Sequence, residues 1–358
     1  MKLWLGASLV IILAAIGGLT VLLYGGSSST GDLDAELGLP INRVREPHII
    51  PDVPRDAIPP LFAPEYVRAD EAPWLEPSHL ILGYENNRDA RAYPLLILNW
   101  HEIVNDKIGG RDVVITYCPL CRSGIVFDST VDGRVLSFGN TGSLYESAMV
   151  MYDKQTESYW WQVGGLAIQG PLEGTELTIL PSVISTWREW RETHPDTLVL
   201  SRNTGFVRNY DVDSFAGYDR KDTPPGWPIS SLDERLAPKE FVVGISINGK
   251  AKAYPISILG DSIHMDEVGG ERLLVITKAS EKLGTVFHAR VDGAPLTFFM
   301  EDGEIKDEET GSLWNSAGIA VGGPLEGRRL TQVPNSTEFW FAWALAHPNT
   351  EIGSWNNG

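Results

Sequence analysis

Asp112-Val113-Val114-Ile115-Thr116-Tyr117-Cys118-Pro119-Leu120-Cys121-Arg122-Ser123-Gly124-Ile125-Val126-Phe127-Asp128-Ser129-Thr130 is a pair of β-branched and aromatic runs around a short turn. Side chains of this kind pack well on a pleated surface, so Asp112–Tyr117 and Gly124–Thr130 read as strands. Val131-Asp132-Gly133 follows, and Asp-Gly between alternating runs is a strong hairpin signal. The second run and its hairpin then come round again as Gly284-Thr285-Val286-Phe287 and Val291-Asp292-Gly293.

Outward from that stretch, the repetition extends over most of the chain. Ala92-Tyr93-Pro94 returns as Ala253-Tyr254-Pro255, and Gly109-Gly110 as Gly269-Gly270. Gly170-Pro171-Leu172-Glu173-Gly174 returns as Gly323-Pro324-Leu325-Glu326-Gly327. Trp187, Trp190 and His194-Pro195 return as Trp340, Trp343 and His347-Pro348. So many ordered matches identify a duplication. Thr178–Leu180 and Thr197–Ser201 are further short strands. Thr186-Trp187-Arg188-Glu189 has the form of a capping box, and Pro195 stands where that helix must stop. The expected fold is α+β and β-dominated: two tandem repeats of one β-rich unit, each with one helix near its end.

The divisions follow. Leu3–Tyr24 is uncharged and long enough to cross a bilayer, with Lys2 ahead of it and Gly25-Gly26-Ser27-Ser28-Ser29 behind. Residues 1–24 are therefore expected to be a transmembrane helix, or else a cleaved signal segment. The positive charge ahead of the span places the body outside the cytoplasm, on a single-pass cell-membrane anchor. Residues 25–75 read as a tether and extended wrap, 76–203 as repeat 1, 204–239 as an irregular connector around Pro224-Pro225-Gly226, and 240–358 as repeat 2. A net charge of −18 excludes a nucleic-acid partner, whose phosphates need a basic footprint, and docking on anionic lipid through a basic face.

The two copies are each other's control: what both carry serves the fold, and what one carries is a site candidate. By that test His194, His347 and the paired tryptophans are structural. Tyr117-Cys118-Pro119-Leu120-Cys121 faces Thr277-Lys278-Ala279-Ser280-Glu281 in repeat 2, and Trp100-His101-Glu102 faces Asp261-Ser262-Ile263. Repeat 1 also carries extra residues inside Asn140–Asp153, among them Tyr145, Met149 and Met151. Repeat 2 is read as a degenerate scaffold copy.

Cys118 and Cys121 are the chain's two cysteines. A thioredoxin-type pair opens a helix, whereas this one lies between strands. Three readings stay open. The thiolates bind copper or, second to it, zinc, with His101, Met149 and Met151 completing the sphere, since soft sulfur and imidazole suit those ions. Or the pair cycles between thiol and disulfide against a redox or envelope protein partner, with His101 or Glu102 accepting the proton. Or the pair is a fixed disulfide and there is no cofactor, which for so short a loop stabilises little. Tyr117, Glu102, Tyr145, Asp153 and Trp160 are the expected neighbours. In the third case the protein is a non-catalytic envelope-binding module with a groove of Tyr159, Trp160 and Trp161. The acidic stretch Glu301–Glu309 reads as a solvated turn, because it lacks the frame of a calcium loop. No catalytic residue is assigned.

The motifs resemble one family, the uncharacterised prokaryotic one called domain of unknown function 3179. The resemblance runs from about Arg55 to Ser354. It rests on Trp100-His101-Glu102-Ile103-Val104-Asn105-Asp106, Thr116-Tyr117-Cys118-Pro119-Leu120-Cys121, Met151-Tyr152-Asp153 and Asp233-Glu234-Arg235-Leu236-Ala237-Pro238-Lys239-Glu240. Arg122 departs from the small residue usual after the second cysteine, and Trp161 is an additional aromatic beside Trp160. The resemblance implies no activity or cofactor.

Overall fold

The computed structural model describes residues 48–353. The expected anchor at 1–24 and most of the tether lie outside the described residues. Among those described, no helix is long and apolar enough to cross a membrane.

The described residues are β-dominated, with four short α-helices among them: α1 Leu95–His101, α2 Trp187–Thr193, α3 Ile256–Leu259 and α4 Trp340–Ala346. A first hairpin joins Leu80–Asn86 to Asp89–Pro94, and the two linking residues, Asn87 and Arg88, both have positive φ. That is the two-residue turn whose twist matches its strands. Val183–Thr186 flanks this hairpin on one side, and Leu198–Leu200 runs parallel to it on the other. After α1, the strands Ile103–Ile108, Arg111–Cys118 and Ser123–Asp128 form an antiparallel meander. Phe138–Tyr145, Ala148–Asp153, Tyr159–Trp161 and Leu166–Gln169 build a third antiparallel sheet.

From Phe241 onward the succession is the same. A hairpin of Phe241–Ile247 and Lys250–Pro255 carries Asn335–Phe339 on one side and parallel Glu351–Ile352 on the other. A meander of Ser262–Val268, Glu271–Lys278 and Leu283–His288 follows α3. Phe298–Glu301, Glu304–Asp307, Leu313–Trp314 and Ala320–Gly322 make the last sheet.

Helices α2 and α4 sit on their hairpins in one way. Trp190 donates its indole N–H to Thr197 and Trp343 to Thr350, while His194 and His347 lie against the two indoles at 3.8 and 3.9 Å. Thr186 caps α2 by accepting the Glu189 N–H, the half of the capping box seen here. The helices α1 and α3 were not expected from the sequence. Their apolar residues follow a Tyr-Pro and carry no capping signal. The wrap, where described, lends one short strand to each of the three five-stranded sheets of the first half: Ile50–Pro51, Leu61–Phe62 and Tyr66–Arg68. Residues 204–239 contain no helix or strand.

The halves share a core. Phe339, Phe341 and Ala342, from the start of α4, pack with Cys118, Cys121, Phe127, Met149, Met151 and Trp160.

Candidate functional site

The two cysteines stand at the tip of the 111–128 hairpin. Cys118 pairs with Ser123 across the strands, the Cys121 N–H donates to the Cys118 carbonyl at 3.1 Å, and Arg122 closes the loop with φ 55°. The matching turn of the second half is built alike, with the Glu281 N–H donating to the Lys278 carbonyl at 3.1 Å and Lys282 at φ 59°. The turn itself is therefore a feature of the fold, and its side chains are what differ.

Both cysteines are free, and they are 1% and 0% exposed, with the sulfurs 3.5 Å apart. The thiol of Cys121 also lies 3.8 Å from the Ser147 carbonyl. Burial pushes the Cys118 thiol up. Hydrogen bonds from the Cys121 thiol and from the backbone N–H groups of Met149, Cys121 and Leu120 outweigh it, and Cys118 ends below the ordinary thiol range. Burial, followed by the neighbouring Cys118 charge, drives Cys121 well above it.

Two buried carboxyls face this pair. Glu102 stands just after α1 at φ 56°, a left-handed position where glycine is the default, and accepts a hydrogen bond from the Asn140 amide at 2.7 Å. Burial and then the Cys118 charge raise it well above the carboxylate range. Glu338 comes from the second half. Ser336 donates to one of its oxygens, while the other has no partner, and burial pushes its pKa up to about 8. The backbone of its neighbour Phe339 donates to the Cys121 carbonyl at 2.9 Å. Glu338 lies outside the single-copy features of repeat 1 from which the sequence reading builds the site. The signal was there, since the repeat sets Glu338 against Ser185.

The site is roofed by the connector and by a hairpin turn. Trp227 N–H donates to the Ser147 hydroxyl at 3.2 Å and Ser230 N–H to the Glu146 carboxylate at 2.7 Å. Arg122 donates to the Phe215 carbonyl at 3.1 Å and lies 3.7 Å from Asp213. The extra residues between Asn140 and Asp153 lengthen that hairpin and bring Glu146 and Ser147 over the thiols.

The expected site residues separate into two groups. Met149 and Met151 share the cluster of the cysteines, and the Asn140 amide lies 3.6 Å from the Met149 sulfur. Tyr145 packs edge-on against Trp161 beside them. Tyr117 is buried in the neighbouring core, with Arg122 donating to its hydroxyl at 3.3 Å. His101 is not directed at the pair. Its Nδ1 donates to the Pro59 carbonyl at 2.8 Å, so its Nε2 accepts from the Tyr210 hydroxyl at 2.6 Å, and burial lowers its pKa to about 4. It anchors the wrap and the connector. Among the described residues no three His, Cys, Asp or Glu side chains gather closely enough to hold a metal ion.

Asp153 and Trp160 also belong to the fold. Asp153 accepts from the Thr156 N–H and hydroxyl and from the Trp160 indole, and Asp307 does the same with Thr310 and Trp314. Asp307 is thus fully buried, which corrects the reading of the whole 301–309 stretch as a solvated turn. Trp160 and Trp161 are buried as well, so the aromatic groove expected of a binding module is not a surface feature.

The fold and site define a β-rich protein in which a buried dithiol at a hairpin tip is enclosed by both halves of the chain and by their connector. The family described as "Protein of unknown function (DUF3179)" matches residues 55–350, and the chain belongs to it. No curated protein and no solved structure matches.

Proposed function

We propose that this is a cell-envelope protein made of two copies of one β-rich unit, anchored by residues 1–24 with its body outside the cytoplasm, and that its first copy carries out thiol–disulfide exchange through Cys118 and Cys121. The observation that carries this reading is the pair itself: two buried sulfurs 3.5 Å apart, one thiol eased toward ionisation and the other held from it. A permanent structural bond has no use for that asymmetry. A nucleophile and a resolving thiol require it.

The step balances as follows. The Cys118 thiolate attacks one sulfur of a partner disulfide, and a mixed disulfide forms as the other partner sulfur leaves. Glu102, held neutral by burial, supplies the proton that sulfur needs. Its carboxylate then takes the Cys121 proton, and Cys121 attacks Cys118. The second partner sulfur is expelled by that attack and takes the proton that Cys118 gave up on ionising, so the partner leaves as a dithiol, reduced by two electrons, and the chain keeps the disulfide. Glu338 is the second neutral carboxyl from which protons reach the pair. Because both thiols are covered, the connector must move aside for the partner.

The test is a redox titration of the full chain in dithiothreitol buffers of graded ratio, with free thiols trapped by a maleimide and counted by mass. A single reversible two-electron transition, lost in Cys118→Ser and slowed in Glu102→Gln, is expected. A pair that stays reduced or stays oxidised over the whole range sinks the reading.

One observation favours a second reading. The Met149 backbone reaches Cys118 and its thioether lies in the same cluster, and two thiolates with a thioether suit monovalent copper better than zinc. Copper bound in stoichiometric amount by the wild type and lost in both Cys118→Ser and Met149→Leu would establish it.

A further inference from the structure

We propose that the second half is not an emptied copy but carries its own site, a binding cleft for a small molecule with an apolar body and a carboxylate or similar anionic end. A cleft of about 290 Å³ lies where the turn after Lys278 meets α2 and the strand before it. The sequence repeat makes this junction the reciprocal of the cysteine junction, and a comparison of the two explains why it is open. At the cysteine junction Phe339 and Phe341 fill the space in front of the turn. The repeat sets Thr186 and Arg188 at those positions, and neither supplies an aromatic ring.

The walls are chemically divided. Ile184, Leu283, Phe287 and the Trp190 ring form an apolar floor. The polar rim carries Lys278, His194 and Arg329 together with the carboxylates of Glu85 and Glu189. Lys278 is ion-paired with Glu189, and His194 faces Glu85 at 3.2 Å. Arg329 differs from both, because among the described residues its guanidinium makes no ion pair or hydrogen bond. Its backbone is fixed by a bridge to Ile319, as that of Glu176 is by a bridge to Leu166, so the repeat replaces an acid with a base at one backbone position. Two cations thus stand where the first copy has Cys118 and Glu176. An unpaired guanidinium above an apolar floor recognises a carboxylate by its paired N–H fork, while the floor takes the body of the ligand. The site does not depend on the redox chemistry of the cysteine pair.

The experiment is calorimetric titration of the full chain with benzoate, 1-naphthoate and decanoate, and with 1-naphthalenemethanol as an uncharged analogue of the same shape. One-site binding of at least one carboxylate, with the alcohol about tenfold weaker or more, is expected from the charge-assisted contact. Arg329→Gln, at an exposed position where folding is not at stake, is expected to erase that preference. Ser185→Trp is expected to block acid and alcohol alike, and a thermal unfolding curve shows whether that variant is folded. No binding of any of the three acids overturns the proposal. Carboxylate binding unchanged in Arg329→Gln overturns it too.

Discussion

Asp153 and Asp307 each hold a buried carboxylate that collects an indole N–H, a backbone N–H and a hydroxyl from the seven residues that follow. Removing such an acceptor leaves the buried indole N–H and the turn's backbone N–H unpaired, at a cost in free energy for each, while the threonine hydroxyl keeps Ser158 or Ser312. Asp153→Ala and Asp307→Ala are each expected to lower stability by about 3–5 kcal/mol, read as a shift in the urea midpoint at unchanged slope. A loss below about 1 kcal/mol would show that the turn is held by something else. The spacing was legible, since Asp153, Thr156, Ser158 and Trp160 recur as Asp307, Thr310, Ser312 and Trp314. Trp160 also packs in the buried cluster of the cysteines, so it is both part of this turn and a neighbour of the pair. His101, by contrast, misled. It was singled out by its absence from the second copy, but its ring is spent on Pro59 and Tyr210. Its folded pKa of about 4 lies below the unfolded value of about 6.5, so the unfolded chain takes up the proton first as pH falls. The stability given by neutral His101 is complete above about pH 6.5 and is lost toward pH 4. Relative to His101→Gln, the wild type should lose about 3 kcal/mol over that window, measured by urea unfolding at a series of pH values. A difference that does not change with pH would mean the ring is not buried neutral.

Elements were legible wherever a local rule dictated them. The strands around the cysteine turn, the Asp-Gly hairpins and α2 follow from branched residues, turn chemistry and the Thr186 cap. Helix α1 was not, because Leu95–His101 is an apolar run whose shape is set by what it packs against. The fit of helix on hairpin was also hidden. A Cβ on Gly83 would stand 2.5 Å from the Trp190 ring, and one on Gly244 would stand 2.2 Å from Trp343. Glycine is present there so that the indole can lie flat on the strand. Gly83→Ala and Gly244→Ala are accordingly expected to cost about 1–3 kcal/mol each through overpacking, seen as a lowered melting temperature. Unchanged melting would mean that the helix shifts outward freely, and His194 and His347, which lie against those indoles, would then have no rigid platform.

At the scale of the whole molecule, the recurring motifs are plain in the sequence, but the division of labour is not. The site was read as a property of repeat 1, whereas Glu338, Phe339 and Phe341 reach it from the other end of the chain. Nothing local in a sequence announces that two turns will be answered by two distant helices. That exchange makes a definite claim about how the halves hold together. Phe339 donates its N–H to the Cys121 carbonyl at 2.9 Å, Gln332 donates to the Ser182 carbonyl at 2.7 Å, and Lys278 pairs with Glu189. The buried aromatic residues at the same junction contribute more than these polar contacts do, since each large apolar side chain removed from water is worth about 1.5–3 kcal/mol. The connector is then a strap over the site, not the link that keeps the halves in place. Phe206 is 43% and Val207 94% exposed there, in a segment without regular structure, which makes it the natural point for a nick. Limited chymotrypsin treatment should cut after Phe206 and leave two pieces that co-elute at the size of the intact chain and part only in denaturant. If the pieces separate under native conditions, the halves are held by the strap alone. In that case Glu338 and the aromatic residues of α4 could not serve the cysteine pair as a fixed wall.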